Sequence, residues 1–118
     1  MILIIHNSNN KMWQTDTSLS LQAKGLMTVL TTTFKSNSNI TREEILEQFT
    51  DGDKSMRTSL EQLRASKYYR LNKVRSESGS FITTIWELFD EPQDTQLNVD
   101  MTISIDGHQH PVKTIVTN

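Results

Sequence analysis

Seven of the chain's twelve basic residues fall in one stretch: Lys54, Arg57, Arg64, Lys67, Arg70, Lys73 and Arg75. Glu61 is the one acid among them, so the stretch carries +6 while the rest of the chain carries −8, within a net charge of −2. Ammonium and guanidinium groups gathered this way pair with phosphate oxygens. A guanidinium can also meet the O6/N7 edge of guanine through two parallel hydrogen bonds. A local basic surface on an acidic body can dock on a polyanion while the acidic remainder limits indiscriminate binding.

Other chemistry-bearing residues point less far. His108-Gln109-His110 sets two imidazoles on one side of a strand, a spacing a metal ion could use, and His6 could add a third only if the chain ends meet. Two imidazoles without a third ligand nearby in sequence read as no metal site. Glu43, Glu44 and Glu47 lie at a helix start, where capping and solvation account for them. No serine or threonine has a His/Asp context and no glycine-rich phosphate loop occurs among four glycines. The chain therefore reads as non-enzymatic, with neither cofactor nor metal. Trp13, Tyr68, Tyr69 and Trp86 could stack on bases, but their positions suit core packing.

The elements that must position the basic residues are legible in turn. Ile2-Leu3-Ile4-Ile5 reads as a strand. Ser20 suits an N-cap for a first helix whose Ala23, Leu26, Met27, Leu30 and Phe34 form one apolar stripe. Thr41 and Glu44 form a T-x-x-E capping box, with Ile40 and Ile45 at the staple positions, so a second helix starts there, its face made by Ile45, Leu46 and Phe49. Asp51-Gly52-Asp53 turns into a third helix with Met56, Leu60 and Leu63 inward, leaving Lys54, Arg57, Thr58 and Glu61 outward. Strands over 68–75 and 81–89 follow, joined by the small residues Ser76 to Ser80. In the second of them, Ile82, Thr84, Trp86 and Leu88 share one side and alternate with Thr83, Ile85 and Glu87. Beyond a polar linker, Leu97 to Ile105 alternates, Asp106-Gly107 gives a hairpin turn, and His108 to Val116 is the expected return strand, with Pro111 confining it to an edge.

Helices, a turn, a basic third helix and a hairpin in this order predict an α+β fold, a winged helix-turn-helix with three helices and a β-hairpin wing, an N-terminal strand and a C-terminal β-hairpin extension. The winged-helix domain covers 1–92, and linker and extension cover 93–118. Placed so, the third helix enters the major groove of DNA, Lys54, Ser55, Arg57 and Thr58 meeting base edges and phosphates. Arg57 suits a bidentate guanine contact with Thr58 beside it; Arg64, Lys67 and Arg70 act as positioning charges; Lys73 and Arg75 reach backbone or minor groove from the wing.

Residues Trp13 to Pro92, about two-thirds of the chain, resemble the N-terminal winged-helix domain of phage and plasmid replication-initiation proteins, the replisome organisers, of Gram-positive bacteria. The resemblance is carried by Leu19-Ser20 with Ala23-Lys24-Gly25-Leu26-Met27, by Asp51-Gly52, by Arg57-Thr58-Ser59-Leu60 with Leu63, by Tyr68, and by the Glu87 to Pro92 ending. It implies DNA binding, in transcription regulation or replication initiation. Such domains tend to carry glycine where Lys67 stands, since the residue ending the helix often turns left-handed, at about 1 kcal/mol for a side-chain-bearing residue. Asp51 and Asp53 suit the helix dipole but repel phosphate, which favours approach by the middle of the helix and the wing.

A hydrophobic content of 35% and charged content of 22% are globular values, and no apolar run nears the ~20 residues of a membrane span. The opening isoleucines are too short for a signal-peptide core and follow no basic stretch. Without cysteine there is no disulfide framework, and a cytoplasmic location is expected. The expectation is a double-stranded DNA-binding protein of a phage, plasmid or other mobile element, acting as a homodimer on a palindromic site, with Ile2 to Ile5 and the 97–116 hairpin as candidate subunit contacts and with a possible replication or host protein partner. The alternative is a protein-binding adaptor or inhibitor that uses the winged helix as a scaffold.

Overall fold

The computed structural model describes residues 1–75, 81–93, 101–105, 108–112 and 115–116. The chain is α+β. Strand β1 (Ile2–His6) and a single 3-10 turn (Met12–Gln14) precede helix α1 (Leu21–Thr33), and a short strand β2 (Ser38–Asn39) leads into α2 (Arg42–Leu46) and α3 (Gly52–Ala65). Strands β3 (Tyr69–Arg75), β4 (Phe81–Phe89), β5 (Met101–Ile105), β6 (His108–Val112) and β7 (Ile115–Val116) complete it. No helix among the described residues is long and apolar enough to cross a membrane.

Helix boundaries follow the local chemistry. Ser20 Oγ accepts from the Ala23 amide at 3.1 Å and starts α1. The Glu44 amide donates to Thr41 Oγ1 at 3.1 Å while the Thr41 amide donates to Glu44 Oε1 at 3.3 Å, so both halves of the capping box form. Asp51 precedes α3, and Gly52 takes φ +84°, a left-handed turn open to glycine at no steric cost. At the far end Lys67 takes φ 68°. Its amide bonds the Arg64 carbonyl and the Tyr68 amide the Leu63 carbonyl, which satisfies carbonyls the helix leaves open.

One sheet organises the rest, in the order β2-β1-β4-β3-β7, with β1 parallel to β4 and the other pairs antiparallel. Strand alternation sends Leu3, Tyr69, Trp86 and Leu88 into the core with Ala23, Met27 and Leu30 of α1 and Met56, Leu60 and Leu63 of α3. The opposite face is buried as well: Ile2, Ile4, Val74 and Ile85 are closed to solvent, and Arg70, Asn72 and Glu87 lie among them. The indole of Trp13 donates to Asp90 Oδ1 at 3.1 Å, and the Ser8 amide to Oδ2 at 2.8 Å, fastening the segment after β1 to the end of β4.

Two expectations change. Ile2 to Ile5, expected as an apolar addition available for a subunit contact, lies inside the sheet with β2 on one edge and β4 on the other. With both edges hydrogen-bonded it has no ladder to offer a partner strand. The expected return strand His108 to Val116 is divided: β6 pairs with β5, Ile103 opposite His110, while Ile115 and Val116 leave the hairpin and add to β3 opposite Lys73 and Asn72. The loop Ser76 to Ser80, the side chain of Ile82, the Asp106-Gly107 turn and most of the 93–100 linker lie outside the described residues.

Candidate nucleic-acid interface

Helix α3 is amphipathic because Met56, Leu60 and Leu63 recur at helical spacing and bury against α1 and the sheet. Lys54, Arg57, Thr58 and Arg64 are thereby left exposed on the outward side. Thr58 Oγ1 donates to the Lys54 carbonyl at 3.0 Å, a bond within the helix that a hydroxyl exchanges readily for an outside acceptor. Ser55 lies partly buried on the flank that faces α1, where it lines a cleft of about 300 Å³ with Leu26, Phe49 and Met56. Lys67 is exposed just past the helix end.

The start of α3 is more neutral than the positions of its acids suggest. Asp53 Oδ1 accepts from Arg42, whose Nε and Nη2 each lie 2.5 Å away, and Asp53 Oδ2 lies 3.1 Å from Nε of Arg57, one helical turn on. The hydrogen bond from Arg42, aided by the charges of both guanidiniums, holds the Asp53 carboxyl below its usual range. Arg42, Asp53 and Arg57 together carry +1, which the exposed Asp51 before the helix offsets. Arg42 lay outside the basic stretch counted by sequence. Its place at the first position of a capped α2 made its exposure readable, but its meeting with Asp53 depends on how α2 packs on α3.

The strand residues divide. Lys73 is partly buried in β3, which has β4 on one side and β7 on the other. Arg75 ends the same strand, and its side chain lies outside what is described. Arg70 does not belong to the basic surface. It is 9% exposed, on the face of the sheet away from the helices, with Nη2 3.2 Å from Glu87 Oε2 and its guanidinium 5.0 Å from the centre of the Phe89 ring. The reason is cross-strand register: Arg70 stands opposite Glu87 in the β3–β4 ladder, and a buried carboxylate draws the cation inward. Read in sequence as one more positive charge, it is the counter-ion of an internal acid.

Glu87 gathers two further partners. His6 Nε2 lies 2.9 Å from Oε2, with its ring stacked on Phe89 at 4.8 Å, and Asn72 donates to Oε1. His6 is thus engaged with Glu87, and no group of three metal-ligating side chains gathers among the described residues. Asp16, near the end of α3, accepts from the Ser18 hydroxyl and amide and from the Tyr68 hydroxyl at 2.7 Å, and these bonds lower its carboxyl to about 2.

No protein-family model, curated protein or solved structure matches the chain.

Proposed function

We propose that the chain is a winged helix-turn-helix protein that binds double-stranded DNA, with α3 as its recognition helix and the β3–β4 hairpin as its wing, serving transcription regulation or replication initiation in a phage, plasmid or other mobile element. One observation carries the reading. Lys54, Arg57, Thr58 and Arg64 are exposed together along one helix whose other side is locked into the core. A helix held in this way can be laid into a major groove without disturbing its packing.

In this reading Lys54 and Arg64 contact phosphates near the two ends of α3, and Arg57 with Thr58 reads base edges between them. Lys67 extends the phosphate contacts past the helix end, while Lys73 and Arg75 serve from the hairpin. Sharing Asp53 with Arg42 offsets the repulsion a lone carboxylate at the helix start would exert on phosphate. Arg70 contributes through the sheet and not by touching DNA. The adaptor reading is favoured by the −8 carried outside the Lys54–Arg75 stretch.

Fluorescence anisotropy on a random duplex, and on a duplex selected from a random pool by the protein, at two salt concentrations separates the two. DNA binding appears as a sequence preference and a steep loss of affinity with salt. Lys54→Ala lowers that salt dependence by about one phosphate contact, and Arg57→Ala relaxes sequence preference by roughly 10-fold. Absence of binding to either duplex at low salt overturns the proposal in favour of a protein partner.

A further inference from the structure

Arg57 is the side chain on which sequence reading by α3 depends, and it is not loose in solvent. Although its side chain is 64% exposed, its Nε lies 3.1 Å from Asp53 Oδ2. The contact is an ion pair and not a hydrogen bond, and the Arg57 side chain has no other ion pair or hydrogen bond among the described residues. The carboxylate faces the guanidinium at Nε by charge attraction, so the edge formed by the two terminal nitrogens, one of the edges able to meet guanine O6 and N7, stays open. Asp53 is itself held: its other oxygen is taken by Nε and Nη2 of Arg42, both at 2.5 Å, from the first position of α2. The carboxylate is therefore clamped between two helices, one oxygen to each.

Resting on the DNA-binding reading above, we propose that Asp53 is a specificity-determining positioning residue, anchored by Arg42 so that it holds the Arg57 guanidinium in the orientation that reads a base edge. An unrestrained arginine samples many rotamers, and ordering it on binding costs free energy that a pre-set guanidinium has largely given up in advance. Exposed ion pairs contribute little to folding. A clamp of three half-exposed side chains on the proposed DNA face is thus better placed to orient than to stabilise. Its second effect is electrostatic. Asp53 remains an acid near incoming phosphate, so an isosteric neutral residue in its place improves non-specific attraction even as it releases Arg57.

Those two effects have opposite signs, which makes the test specific. On the selected and random duplexes at fixed salt, Asp53→Asn lowers the ratio of selected to random affinity about tenfold, within the range a single bidentate base contact supplies, while affinity for the random duplex stays level or rises. Arg42→Gln lowers the ratio in the same direction by freeing the carboxylate. In an Arg57→Ala background, Asp53→Asn changes the ratio no further, because the residue through which Asp53 acts is gone. A wild-type ratio retained by Asp53→Asn overturns this inference and leaves DNA binding standing. A ratio lowered equally with and without Arg57 also overturns it, since Asp53 would then act by another route. A wild-type protein that binds both duplexes equally removes this inference alone, and one that binds neither removes the DNA-binding reading with it.

Discussion

Glu87 is 2% exposed, yet it sits among groups that favour its charge. Burial pushes its carboxyl up, but the hydrogen bonds and charges of His6 and Arg70 outweigh that, and the carboxyl is held below its usual value. Glu87→Gln leaves the Arg70 cation buried without its counter-charge, and loss of about 3–5 kcal/mol is expected in urea denaturation. Asp16 gives the clearest acid response. Its carboxyl is lowered from 3.8 to about 2 by the Ser18 hydroxyl, the Tyr68 hydroxyl and the Ser18 amide. A group depressed by folding contributes its stability above the unfolded value and loses it as pH falls through the folded one. Melting temperature measured from pH 4 down to pH 2 should therefore fall less steeply for Asp16→Asn than for the wild type; equal slopes would show that Asp16 is not coupled to folding.

At the scale of elements, the end of α3 shows a local rule met by an unfavoured residue. Lys67 takes φ 68° where glycine is at ease, because the hydrogen bonds that the Lys67 and Tyr68 amides donate to the Arg64 and Leu63 carbonyls need that turn and Tyr68 must enter the core directly after it. Lys67→Gly is expected to raise stability by up to about 1 kcal/mol, the left-handed cost relieved less the extra freedom of the unfolded chain. A calorimetric loss of stability would mean that the lysine side chain contributes more than its backbone costs. The beginnings of α1 and α2 were legible residue by residue. Ser20 reaches Ala23 and Thr41 exchanges bonds with Glu44 over spacings of three, and nothing distant is required for either. The outward side of α3 was legible for the same reason, since helical spacing sorts inside from outside without knowledge of the partner.

For the whole molecule, long-range strand pairing is the deciding feature. β1 lies parallel to β4, Leu3 beside Trp86 and Ile5 beside Leu88, and these contacts join the start of the chain to residues more than eighty positions on. An alternating or apolar segment announces that it is a strand and which of its side chains share a face, but its period of two carries no address for the neighbouring strand. Hence Ile2 to Ile5 could be recognised as a strand and misplaced as an outer addition. Hence also the alternation continues the hairpin through Ile115 and Val116, whereas both add to β3. The same limit governs charge. Lys54, Arg57 and Arg64 belong to a helix whose exposed side is set by local spacing, and counting them as surface was sound. Arg70 belongs to a strand, where the neighbour across the ladder decides whether a cation meets water or a buried carboxylate. By itself, then, the sequence determined the helices, their caps, the turn before α3 and the cations α3 presents, because each depends on interactions within a few residues. Only the tertiary structure decided the interior place of β1, the burial of Arg70 with Glu87 and the meeting of Arg42 with Asp53, because those join segments brought together by the sheet and by helix packing; the Asp53–Arg57 pair, four residues apart on one helix, is local.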